Sequence, residues 1–306
     1  MALVVQRDGP EVGGGQLGVD PYPVDDHAAG QARWDDAELF RYVYLPDDPP
    51  LESPRPYLHP VRTLSGELVT DYRPGDHPWH KGISWSLPNV GTENFWGGPT
   101  YRRGDGYIQL DNNGAMRHDG FGAIGASGGQ AGLAERLTWV TAAGQALFTE
   151  QRRITAAVRP DRSAWSCAFQ TTMRNVSGRT VAIGSPTTEG REAAGYGGLF
   201  WRGPAAFAGG RVLTPDGSGR DEVMGWRGPW LAFAAPAATL IFRDSPANPG
   251  FPCQWFVRSS PYACVCPAPF FAAEVPVPAA AELTLRYEVV VATGELTIDA
   301  CVTERA

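Results

Sequence analysis

The chain has no run approaching the roughly 20 apolar residues of a membrane-spanning helix. Its opening, MALVVQRDGPEV, lacks the basic segment and apolar stretch of a secretory leader. Cysteine is scarce: Cys167, Cys253, Cys264, Cys266 and Cys301 are odd in number and follow no CxxC spacing, which excludes zinc-finger and thioredoxin readings. Cys264 and Cys266 stand two apart on one face of an apparent strand, an awkward spacing for a disulfide. Buried, reduced thiols in a cytoplasmic protein are therefore expected. Basic charge is also short, 26 Lys and Arg against 33 Asp and Glu for a net charge of −7. That balance argues against nucleic acid or an anionic membrane as partner, since both favour a basic face. GxSxG, P-loop, HExxH and helix-opening GxGxxG motifs are absent. GGGQLG at 13–18 follows no strand and reads as loop. A 3.6-residue period does not persist beyond a turn or two, apart from a short helical piece at 34–40. Without strand–helix alternation, Rossmann and TIM-barrel folds are excluded.

What remains is turn-rich and strand-forming. The 306 residues are 43% hydrophobic and 19% charged, with 37 Gly and 27 Pro. In the absence of a short repeat, that composition indicates many turns between short strands. Residues 7–37 are rich in Gly, Asp and Pro and read as a loop or arm containing His27; a single domain is expected over 38–306. Glu38–Leu45 alternates and stops at PDDPP. In the run 164–174, Trp165, Cys167, Phe169, Thr171 and Met173 share one face. LTLRYEVVVA at 283–292 reads as the last core strand, and MRHDGFGAIGASGGQAG at 116–132, within the glycine-heavy 104–134, as a mobile loop carrying His118. The fold class is all-β: a large sandwich with few or no long helices.

Residues 71–101, DYRPGDHPWHKGISWSLPNVGTENFWGGPTY, hold the densest collection of chemically able side chains. His77, His80, Trp79, Trp85, Trp96, Asp76, Lys81, Glu93 and Asn94 lie among fixed turns, as orientable polar groups among apolar walls do in a ligand pocket. Pro78 pushes His77 toward extended backbone and gives nothing to a sheet ladder. Positions three apart on a straight strand face opposite ways, so the two imidazoles converge only if the chain turns at Pro78-Trp79.

RPYLHPVRT at 55–63, LSGELVTDY at 64–72, DHPWHKGISWSLPNV at 76–90, ENFWGGPTY at 93–101 and TTEGREAAGYGGLFWRGPAAF at 187–207 resemble the family labelled methane oxygenase PmoA. The resemblance runs from about residue 50 to the C-terminus and implies a metal-dependent oxygenase. YACVCPAPFFAAEVPVPAAAELTLRYEVVV at 262–291 resembles, more weakly, the C-terminal end of galactose-mutarotase-like supersandwiches. The catalytic glutamate of those epimerases would fall near Val265-Cys266, where neither residue does acid–base chemistry.

The two histidines are open to three roles: an acid/base pair, metal ligands, or structural residues pinning a turn. Glu189 and Arg191, wedged among turn-formers before Tyr196, Trp201 and Arg202, suit a grip on hydroxyls or a surface ion pair. Indole faces beside such groups also hold sugar rings. The leading expectation is a cytoplasmic enzyme on a carbohydrate or related polyol, with His77, His80 and Glu189 catalytic and no cofactor. Trp79, Asn94, Trp96, Arg191, Tyr196, Trp201 and Arg202 would bind substrate. An oxygenase would instead hold a transition metal with His77, His80, His118 and Glu189. A non-catalytic sugar-binding protein is the third reading.

Overall fold

A computed structural model describes residues 3–7, 28–34, 37–127 and 129–303. His27 and GGGQLG, with the rest of 8–27, lie outside the described residues. Two large sheets make up the architecture, and every pairing between their strands is antiparallel. The backbone of the first runs Leu3–Arg7, Ala28–Trp34, Ala37–Leu45, Tyr57–Val61, Ile83–Val90, Gly198–Arg202, Cys264–Ala268 and Gln254–Arg258. In the second, Glu282–Thr293 and Ala164–Asn175 pair at the centre, flanked by Ala238–Asp244 on one side and Ala146–Arg159 on the other. Ile298–Thr303 is the one α-helix among the described residues, and no helix there is long and apolar enough to cross a membrane. This is the large all-β sandwich expected from the turn-rich composition.

The sheets close on each other through aromatic side chains from alternate strand positions. Phe40 stacks on Trp165 at 5.7 Å, and Trp85 lies between Phe169 at 6.0 Å and Tyr287 at 6.2 Å. Trp201 packs against Phe233 at 5.2 Å and Phe242 at 5.7 Å. The expected face of Trp165, Cys167, Phe169, Thr171 and Met173 is buried in this interface. Such packing is the largest stabilising contribution available to a chain of this composition.

Three local expectations are corrected. Residues 37–40, read as a short helix, open the strand Ala37–Leu45, because Leu39, Phe40 and Tyr42 bury against the other sheet. Ala28–Trp34, read as part of a loop, pairs with that strand. The glycine-heavy segment read as mobile forms the strands Ala115–Ser127 and Gln130–Val140, paired in one ladder. Glycine weakens a strand, but cross-strand partners hold this one.

That hairpin supplies half of a buried polar cluster joining the sheets. Tyr42 of the first sheet donates its hydroxyl hydrogen to Glu135 of the second. His118 Nδ1 lies 2.6 Å from the other Glu135 oxygen, and Tyr44 and Phe121 pack on its ring. Arg152 holds Glu150 through Nε at 2.8 Å and Nη2 at 3.0 Å, and reaches the Tyr42 hydroxyl at 3.3 Å. Trp139 donates to the same Glu150 at 2.8 Å. Burial would lower the Arg152 pKa, but Glu150 and its neighbours outweigh it and hold the guanidinium charged.

Candidate functional site

The outer face of the first sheet carries a cleft of about 350 Å³. Strand alternation builds its floor. In Gly198–Arg202, Leu199 and Trp201 enter the sandwich core, so Phe200 and Arg202 project outward. In Gln254–Arg258, Trp255 and Val257 face inward, while Phe256 and Arg258 line the cleft. Cys264 and Cys266 join Phe200, Phe256 and Trp96 in a separate outer cluster.

The turn required at Pro78-Trp79 is present. His77 N–H donates to Pro74 O at 3.0 Å, and His80 N–H to His77 O at 2.9 Å, giving two successive turns. They stack the two imidazoles at 4.5 Å with planes 10° apart. Beneath them, Arg55 donates to the Trp79 carbonyl at 2.7 Å. Lys81 is wholly buried, bound to Asp48 at 2.8 Å and to Glu52, which also takes Arg73. Burial, partly offset by Asp48, lowers the Lys81 pKa. Lys81 is therefore a tie under the turn.

Asn94 fixes the opposite wall. Its Oδ1 accepts the N–H groups of Trp96 at 2.8 Å and Gly97 at 2.9 Å, while Nδ2 donates to Gly98 O and Thr100 Oγ1 at 3.1 Å each. All its hydrogen-bonding capacity goes into this loop. Gly98 has φ +67°, and a methyl there would come within 2.7 Å of the Trp79 indole. Only glycine permits that conformation and approach without strain.

One ion pair engages Nδ1 of both histidines. Arg202 donates through Nη2 to both Asp76 oxygens, at 3.0 and 3.1 Å, and through Nη1 to His80 Nδ1 at 3.0 Å. Its guanidinium carbon stands 3.8 Å from the Tyr262 ring centroid. Burial raises the Asp76 pKa, but hydrogen bonds from His77 and Arg202 more than reverse that, so the group is a carboxylate. His77 Nδ1, 2.8 Å from Asp76 Oδ2, must then be the donor. In the neutral ring the lone pair is left on Nε2. His80 is the converse: an arginine cannot accept, so Nδ1 is the acceptor and the proton sits on Nε2. Burial, then His77, Arg202 and Arg55, lower its pKa well below the usual histidine value. His80 is 3% exposed and stays neutral. The pair thus offers one nitrogen lone pair and one N–H beside a cleft walled by Trp79, Trp96, Tyr196 and Tyr262.

Of the residues singled out in the sequence, His77, His80, Trp79, Trp96, Arg191 and Tyr196 line this cleft. Arg202 supports it from behind, and Asn94 shapes its wall. Trp201 does not reach it, because its strand position points inward and its indole donates to Val69 O at 2.7 Å. Glu189 is half-buried in the neighbouring turn and is not among the lining residues. His118 is held in the buried cluster between the sheets, so the four groups of the oxygenase reading do not converge. Among the described residues no three His, Cys, Asp or Glu side chains are grouped to hold a metal ion. Arg191 donates to the Tyr107 hydroxyl, which shares a 2.8 Å hydrogen bond with Tyr196.

Sequence reasoning missed Tyr107, Phe200, Phe256, Arg258, Tyr262 and Cys264. Alternation in QWFVR was the available signal: it puts Arg258 on the face opposite Trp255 and Val257. The five cysteines are buried and unbridged.

The family model described as "Family of unknown function (DUF6807)" matches residues 31–304. It corrects the resemblance to the methane oxygenase PmoA family, which does not match. Three of the five blocks that carried that resemblance, 76–90, 93–101 and 187–207, supply residues to the cleft lining, and all five lie inside the matched span. No curated protein matches the chain. Among solved structures, heparan sulfate lyase HepC mutant from Pedobacter heparinus is similar with TM-score 0.41 and 9% identity, over 89% of this chain and 36% of that one. An alpha-galactosidase from Lactobacillus brevis gives TM-score 0.37 and 9% identity, over 88% and 38%. The Slr1438 protein from Synechocystis sp. PCC 6803 gives 0.42 and 11%, over 90% and 100%. The chain thus spans little more than a third of the first two.

Proposed function

Since the chain belongs to the DUF6807 family, whose function is unknown, we propose from the site itself that it is an enzyme of acid–base chemistry on a carbohydrate or related polyol. The observation that carries this reading is the opposed protonation of two stacked histidines at one aromatic cleft. His77, oriented by the Asp76 carboxylate, takes a proton through Nε2 from a ligand carbon or hydroxyl. His80 donates its Nε2–H to a ligand oxygen and stabilises charge that develops there. Indole and phenol faces supply stacking surfaces for a sugar ring, and hydroxyl and guanidinium groups at the rim supply hydrogen bonds. Glu189 has no part in this scheme, being outside the lining set. The unbridged buried thiols support a reducing, cytoplasmic setting.

Proton transfer can be tested whatever the overall reaction. Candidate sugars and sugar acids are incubated with the protein in deuterium oxide and followed by proton NMR. Exchange at carbon or conversion to an epimer reports proton transfer. His77→Asn should abolish either signal while the ligand still raises the melting temperature, as binding to the native state alone requires. Undiminished exchange in His77→Asn would refute the assignment. Binding without turnover by the unaltered protein would leave a binding protein instead.

A further inference from the structure

The cleft holds more positive charge than acid–base chemistry uses. Two guanidinium groups line it, those of Arg191 and Arg258, and no Asp or Glu side chain does. Arg191 donates to the Tyr107 hydroxyl and stands 4.8 Å from that ring's centroid, while Arg258 stands 5.7 Å from the centroid of Phe256. These are neutral partners, and among the described residues neither arginine has a carboxylate within ion-pair distance. The adjacent arginines are treated differently: Arg202 is paired with Asp76 and Arg73 with Glu52. Asp221 is spent on the backbone N–H groups of Ser259 and Ser260. No carboxylate of the cleft lining balances these two guanidinium groups.

We infer that the ligand is an anionic sugar whose oxyanion, a carboxylate or an acid ester, is bound by Arg191 and Arg258. The inference rests on the sugar reading above and adds its charge. Each guanidinium presents a planar fork of donors that matches a carboxylate or phosphate oxygen pair. The part-enclosed, aromatic-walled setting strengthens such contacts relative to open solvent. The ring then lies toward Trp79 and Trp96, within reach of the two histidines. Arg191 and Arg258 come from separate segments, the turn after Glu189 and the end of a first-sheet strand.

Titration calorimetry on the full chain at low salt tests it with five probes: D-glucuronate, its methyl ester, glucose 6-phosphate, glucose 6-sulfate and D-glucose. At least one anionic probe should bind tenfold or more tightly than glucose and the methyl ester, with the advantage shrinking as salt is added. Tightest binding of glucuronate assigns a carboxylate; tightest binding of an ester assigns that ester. Arg258→Gln and Arg191→Gln should each weaken the anionic probe by about 10- to 100-fold and weaken glucose several-fold less than that. Arg258→Lys, which keeps the charge, should retain part of the preference, and ligand-free melting curves confirm folding of each variant. Equal affinity for charged and neutral sugars, or equal losses for both in the arginine variants, overturns the inference and leaves the sugar reading standing. Failure of all five probes to bind overturns both.

Discussion

Two clusters in this molecule are assembled from the same parts, a histidine, carboxylate, arginine and tyrosine. One joins the sheets around Glu135, Glu150 and Arg152; the other lies on the outer face around Asp76 and Arg202. In the first, Glu135 takes both Tyr42 and His118, and Glu150 takes both Arg152 and Trp139. In the second, Asp76 and Arg202 satisfy each other and one nitrogen of each histidine, leaving the remaining imidazole nitrogens for the cleft. The parts are alike; the two clusters differ in whether hydrogen-bonding capacity is left over beside a cavity.

The sharpest way to break this comparison is to remove the arginine from each. Arg152→Ala leaves Glu150 buried and uncompensated, and should cost about 3–5 kcal/mol of stability in denaturant unfolding. A loss below about 1 kcal/mol would mean that the inner cluster is not what joins the sheets. Arg202→Met should cost less, about 1–3 kcal/mol, because Asp76 can turn to water. It should nevertheless remove proton exchange almost completely, since it releases the His80 tautomer. If exchange survives in Arg202→Met, the ion pair does not organise the histidines.

The smallest effect concerns pH. His80 and His59 both have folded pKa values below the ordinary histidine value, His80 chiefly through burial, His59 to about 4 through burial and then Arg62 and Arg41. A depressed histidine pKa means that the unfolded chain binds more protons. The stability it contributes is whole above about pH 6.5 and falls as pH drops below that toward the folded value. Unfolding midpoints should therefore decline from pH 7 to 5. His80→Gln, which keeps an acceptor for Arg202 and a donor toward the cleft but cannot titrate, should decline less steeply. An unchanged slope would show that His80 is not held neutral.

Much of the fold was legible because burial follows strand alternation, as at Trp165 to Met173. The lining of the cleft was half legible. His77, His80, Trp79 and Trp96 announced themselves by crowding costly side chains among turns, and the required turn at Pro78-Trp79 is there. Trp201 misled because an aromatic in a suggestive block looks the same whichever face of its strand it occupies. Glu189 stays outside the lining because nearness in sequence to Arg191 does not carry into the cleft. Arg258 and Tyr262 escaped because they join the wall only through a strand pairing some 60 residues further along, between Cys264–Ala268 and Gly198–Arg202.

Strand parity at the cleft has a further consequence. Across Gly198–Arg202, Gln254–Arg258 and Cys264–Ala268, odd-numbered side chains such as Trp201, Trp255 and Val265 enter the core. Even-numbered ones such as Phe200, Phe256 and Cys264 face the cleft. Selectivity and folding are thereby written on opposite sides of one layer of backbone. Substitution at positions 200, 256, 258 and 264 can reshape the cleft while the inner surface stays constant. The outer surface is thus free to vary without redesign of the interior, and a combinatorial library confined to those positions would explore that freedom.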